Sequence, residues 1–116
     1  MFDKEARKEQ ILSILTCSQE ELTQYATLKD ETLRIQAAEK IWMAFHKLLE
    51  LVAGKKIHTG EIWKYVRAID DSEITEIAGA AGALHNYHYT WEEYGPVMER
   101  DFAYSHDAIK KRLAAC

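Results

Sequence analysis

Proline occurs once in this chain, at Pro96, and glycine only five times, so little interrupts helix propagation along the sequence. Cysteine is equally scarce. Cys17 and Cys116 stand at no C-x-x-C spacing, which excludes a thiolate metal knuckle and a dithiol redox site and leaves free thiols or, at most, a terminal cross-link. No apolar run approaches the roughly 18 to 20 residues of a membrane span, so a soluble protein without membrane contact is expected. The segment Met1–Gln10 alternates acids and bases and lacks the apolar block of a signal peptide, which points to the cytoplasm. At 116 residues the chain is the size of one domain, residues 1–116, with N-terminal helices over 1–30 and a core over 31–116.

Positive charge is missing from one third of the molecule. No Lys or Arg falls between Arg67 and Arg100, while Asp70, Asp71, Glu73, Glu76, Glu92, Glu93 and Glu99 all do. With a net charge of −4, a surface-wide attraction to nucleic acid is excluded and only local patches remain. Lys55, Lys56, Lys64 and Arg67 form one small basic group, and Lys110, Lys111 and Arg112 another; both read first as solvated helix ends. Motifs for bound metals and phosphates are also missing: there is no H-E-x-x-H, no E-x-x-H, no EF-hand loop, no complete phosphate loop and no G-x-S-x-G elbow, so neither a metal nor a cofactor is expected.

What is present is helical periodicity. A first helix is expected from about Asp3 to Leu15, and Ser18 followed by Glu21 has the form of a capping box opening a second. The clearest segment is Glu31–Ala53, where Ala38, Ile41, Trp42, Phe45, Leu48, Leu49 and Val52 recur at three- and four-residue spacing and Gly54 supplies a C-cap. A shorter helix follows from His58 or Thr59 with the stripe Ile62, Trp63, Val66 and Ile69. Asp70 with Glu73, or Ser72 itself, caps the next, about Ser72 to Trp91, in which Gly79, Ala80, Gly82 and Ala83 leave room for a close neighbour. Pro96 suits the first turn of a final helix carrying Met98, Phe102, Ile109 and Leu113. No segment alternates with period two. The fold class is therefore all-α, an antiparallel bundle of about five to six helices.

Chemistry-bearing residues gather in Leu84-His85-Asn86-Tyr87-His88-Tyr89. His85 shares a helix face with both His88 and Tyr89, and imidazoles and phenols so placed exchange protons, bind anions or stack on bases. The plain alternative is an aromatic cluster that satisfies its own polar tips. Glu39, Met43, His46 and Glu50, beside Lys40 and Lys47, read as a solvated rim strengthened by ion pairs. His58 at a helix start reads as a cap, and Cys17 as packing rather than a nucleophile.

The residues Gln36-Ala37-Ala38-Glu39-Lys40-Ile41-Trp42-Met43-Ala44, with His58 and the segment Leu84–Tyr89, resemble the archaeal PaREP family of small helical proteins, which belongs with the HEPN domains. The resemblance covers about Gln36 to Trp91. It implies a homodimeric helical bundle tied to RNA, nucleotides or a partner protein, commonly a small nucleotidyltransferase. It also implies, for active members, metal-independent RNA cleavage by an arginine, a polar residue and a histidine at short spacing. The one spacing match here is Arg100 to His106, and on a regular helix those two lie about 120° apart. His85 has no arginine just before it. The expectation is therefore an HEPN-like homodimer that binds a nucleotide, RNA or a partner protein, with ribonuclease chemistry degenerate. Its expected catalytic residues are His85, His88 and Tyr89, and its expected ligand-binding residues Glu39, Trp42, His46, His58, Lys64, Arg67, Asn86 and Tyr87. The rivals are a structural or adaptor bundle and a metal-independent ribonuclease. Duplex DNA is excluded, because the helix placed for recognition begins with Glu73 and Glu76 and contains no Lys or Arg.

Overall fold

Helix dominates the described residues. The computed structural model describes residues 2–87 and 91–116, the latter with backbone only for 91–94. It consists of α1 (Lys4–Leu28), α2 (Glu31–Ala53), a single 3₁₀ turn (Thr59–Glu61), α3 (Ile62–Ile69), α4 (Ser72–Tyr87) and α5 (Trp91–Ala115), with no strand among the described residues. This is the expected all-α bundle. At about 1.5 Å per residue, the 25 residues of α1 and of α5 account for its long dimension of 41 Å.

Cross-helix contacts fix the packing as antiparallel. Between α1 and α2, Arg7 near the start of α1 meets Glu50 near the end of α2, whereas Ser18 and Glu21, further along α1, meet Ala37 and Lys40, nearer the start of α2. Between α4 and α5, Glu73 meets Arg112 and Glu76 meets Tyr104. Between α1 and α5, Lys8 donates to the carbonyl of Cys116 and His106 to that of Leu15. The core is drawn from the apolar stripe of each helix: Ile11 and Leu15 of α1, Ile41, Phe45, Leu48 and Leu49 of α2, Ile62 of α3, Ile74, Ile77 and Leu84 of α4, and Phe102 and Ile109 of α5, all at 2% exposure or less.

Helix ends follow local chemistry. Asp3 and Asp30 accept from the backbone N–H groups of Ala6 and Thr32, and Gly54 closes α2 in the left-handed region, at φ 74°, where a side chain would be strained. Lys29 and Asp70 take the same conformation with a side chain, at φ 56° and 52°. Asp70 thus ends α3, and the cap of α4 is Asp71, whose Oδ1 accepts from the N–H of Ile74; neither Asp70 nor Ser72 fills that role.

Four other expectations need correction. The capping box at Ser18 and Glu21 does not exist, because α1 runs unbroken through it: Ser18 is fully buried and its hydroxyl donates to the Ala37 carbonyl at 2.8 Å, while Glu21 pairs with Lys40. The helix expected over Ser72–Trp91 is Ser72–Tyr87, and Trp91 already belongs to α5. Pro96 lies inside α5 rather than in its first turn. Cys17 and Cys116 are both exposed free thiols, so Cys17 is not a packing residue.

Candidate functional site

The buried faces of α2 and α4 bring Glu39, Trp42 and His85 together at the edge of the core. Leu84 is fully buried, which leaves the next residue, His85, on the rim of α4. Its Nδ1 donates to Glu39, 3.0 Å from Oε2 and 3.2 Å from Oε1, and each side chain is 39% exposed. The imidazole lies flat on the Trp42 indole, with ring centroids 5.0 Å apart and planes 11° apart. Trp42 in turn meets Trp63 of α3 at 6.1 Å and the buried Phe45 at 5.6 Å.

The result is a stepped aromatic surface, His85 on Trp42 beside Trp63, with an acid at one end. Gly82 is its floor. A Cβ at that position would lie 3.1 Å from Cζ2 of Trp63, close enough that this indole would have to shift by a few tenths of an ångström, and in ordinary contact, at 3.6 Å, with Cζ3 of Trp42. The small flank of α4 therefore receives two indoles rather than a helix backbone, and Gly79, one turn earlier, faces open space.

Chemically the arrangement has two capacities. Trp63 is 43% exposed and continuous with a ring stack, which is what a planar base or sugar face packs against. With Nδ1–H committed to Glu39, a neutral His85 has its lone pair on Nε2, the tautomer of an acceptor or general base. Arg67, one turn beyond Trp63 on α3, is exposed and has no ion-pair partner among the described residues, so it is available to an anion.

The remaining sequence candidates divide. Lys64 pairs with Glu61 at 3.3 Å. Asn86 and Tyr87 are exposed at the end of α4. His46 and His58 serve the backbone: His46 Nε2 donates to the Ile57 carbonyl at 2.7 Å, and His58 Nδ1 accepts from the N–H of Gly60 as the cap of the 3₁₀ turn. His88 and Tyr89 lie outside the described residues. Glu50 is no part of a solvated rim. It is 6% exposed and accepts from Arg7 at 3.0 Å and from the N–H of Ile57 at 2.9 Å.

Trp63 and Gly82 were not among the sequence candidates. Trp63 reads as core because it adjoins the stripe Ile62, Val66 and Ile69, but at 100° per residue it lies off that line, and this offset is the signal that places it on the rim. Arg100 and His106 do not form a site either: Arg100 is exposed, whereas His106 packs on Phe102 and donates to the Leu15 carbonyl. Among the described residues no group of three or more His, Cys, Asp or Glu side chains is placed to hold a metal ion, and no helix is long and apolar enough to cross a membrane. Neither the family models, the curated proteins nor the solved structures give a match to this chain.

Proposed function

We propose that this protein binds a nucleobase-bearing ligand, a nucleotide or a short single-stranded RNA segment, on the His85–Trp42–Trp63 surface. The observation that supports this most directly is the half-exposed Trp63 indole, tilted 34° against Trp42 beside the stacked His85 ring. The base lies on Trp63, the Nε2 of His85 reads a donor on its edge, and Arg67 meets the phosphate. Stacking on one aromatic side chain contributes about 1 to 3 kcal/mol per base, so the phosphate contact of Arg67 and the edge contact of His85 have to add to it. The resemblance of Gln36–Trp91 to the HEPN group points the same way. His85 is also the residue on which metal-independent cleavage of a ribose-phosphate chain would depend, as general base.

Titration of a fluorescent single-stranded RNA and of free nucleotides into the purified protein tests the reading. Binding is expected, weakened at least about tenfold by Trp63→Leu. Unchanged affinity in that variant removes the platform from the argument. Incubation of the same RNA without metal, beside His85→Ala, separates binding from cleavage.

A second reading rests on Met43 at 47%, Trp63 at 43% and Tyr87 at 53% exposure. Exposed large apolar side chains also suit a protein contact, and the homodimer or nucleotidyltransferase partner implied by the resemblance belongs to this reading. Light scattering at high micromolar concentration distinguishes them: a monomer that binds RNA favours the base platform, and a dimer broken by Trp63→Asp favours the contact surface.

A further inference from the structure

We infer a second ligand site, distinct from the aromatic surface, in the cavity between the start of α1 and the end of α2. It would take a small molecule bearing a phosphate. The cavity has a volume of about 340 Å³ and is lined by Phe2, Asp3, Arg7, Gln10, Lys47 and Lys56 among others, which is within the size range of small-molecule sites. Three cations converge on it in a protein whose net charge is −4.

The state of those cations identifies the ligand. Lys47 is half-buried and Lys56 exposed, and neither has an ion-pair or hydrogen-bond partner among the described residues. Both ammonium groups are therefore free to meet an anion in the cavity. Arg7 is held differently. One of its terminal nitrogens donates to Glu50 at 3.0 Å, and its guanidinium lies over the Phe2 ring at 4.7 Å. A guanidinium has five N–H donors, so the pairing with Glu50 leaves others for a phosphate while the ring contact fixes the plane from which they project.

Two acids bear on the charge. Asp3 lines the cavity but is committed to the N–H of Ala6 as a helix cap, and Glu50 lies behind Arg7 rather than in the lining. Counting Arg7, Lys47 and Lys56 against Asp3 and Glu50 leaves one net positive charge about the cavity, carried by the two lysines without a partner among the described residues, and two ammonium groups beside a guanidinium suit the several oxygens of a phosphoryl group. A contiguous cavity along α1 shares Gln10 and Lys47 and adds Glu9 and Ser13. These acceptors and hydroxyls suit the hydroxyl groups of the rest of such a molecule.

The test is calorimetric titration with glucose 6-phosphate beside glucose, and thermal melting in the sugar phosphate beside sodium chloride at equal ionic strength. Binding by the phosphate ester alone is expected, with a rise in melting temperature that the salt does not reproduce. The double variant Lys47→Gln/Lys56→Gln is expected to weaken binding at least about tenfold. Lys56→Glu, a change at an exposed loop position that leaves the fold in place, weakens it in the same direction. No heat with glucose 6-phosphate, equal effects of ester and salt, or unchanged affinity in Lys56→Glu would overturn the proposal.

Discussion

The imidazole of His85 and the indole of Trp42 lie 5.0 Å apart and within 11° of parallel, while Glu39 holds the far edge of the imidazole. One side chain is thereby fixed in tilt by stacking and in rotation by a hydrogen bond. Each contact alone is worth little at a half-exposed position. Together they define where Nε2 points, and that definition separates a positioned imidazole from a surface histidine. Trp63 extends the surface only because Gly82 leaves space beside it.

Gly82→Ala therefore affects the site more than the fold. Alanine favours the helix interior by about 1 kcal/mol over glycine, and this offsets most of the cost of shifting one rim indole. We expect a melting temperature close to that of the parent and a tryptophan emission spectrum shifted to the red, with weaker binding of single-stranded RNA. An unaltered spectrum would show that Trp63 does not rest on residue 82.

Glu50 ties three parts of the chain together, since Arg7 of α1 and the N–H of Ile57 both donate to its carboxylate from the end of α2. The Arg7 and Glu50 side chains are 14% and 8% exposed. Removing one member of so buried a pair leaves the other uncompensated, at a cost of about 3 kcal/mol. Arg7→Ala and Glu50→Ala are each expected to lower the urea midpoint by that equivalent, and the double variant by much less than their sum. Additive losses would mean that the two residues act independently.

Ser18 shows why the helix boundaries were less legible than the helices. Ser-x-x-Glu is a good local signal for a helix start, yet the Ser18 hydroxyl is more favourably placed in the interface with α2, donating to Ala37, and Glu21 finds Lys40. Long-range partners overrode a short-range pattern. Pro96 also departs from its local signal, lying within α5 despite the backbone hydrogen bond it forgoes. The apolar stripes survive in the structure because burial of whole faces outweighs any single cap: Ile41, Phe45, Leu48 and Leu49 are all fully buried as their spacing required. Of the site, His85, Glu39 and Trp42 were legible as residue types, but their convergence was not, since nothing local to residue 39 specifies contact with residue 85.

Ser18→Ala removes the donor and leaves the Ala37 carbonyl with its helical partner alone. A neutral buried hydrogen bond contributes about 1 kcal/mol, and a loss of that size in denaturant titration is expected. Ser18→Pro, by contrast, abolishes folding if α1 is continuous through this position; a folded proline variant would restore the helix break at Cys17.

Asp71 contributes to the pH dependence of stability on the acid side. Asp71 is held below the usual carboxylate range, first by the side-chain hydrogen bond from Arg112 and then by the N–H of Ile74, with burial opposing both. A carboxyl group whose pKa is lower folded than unfolded adds stability above its unfolded pKa, and that contribution disappears as the pH falls below about 4. Asp101 works in the opposite direction: burial raises its pKa, against the nearby Arg100, so its ionisation weakens the folded state at neutral pH. Arg112→Met isolates the first effect, because it releases Asp71 and Glu73 and leaves Asp101 in place. The variant is expected to be less stable than the parent at pH 7, with the gap closing as Asp71 is protonated in both. Urea unfolding between pH 7 and pH 3 measures it, and a gap that stays constant across that range would detach Asp71 from the acid sensitivity of the fold.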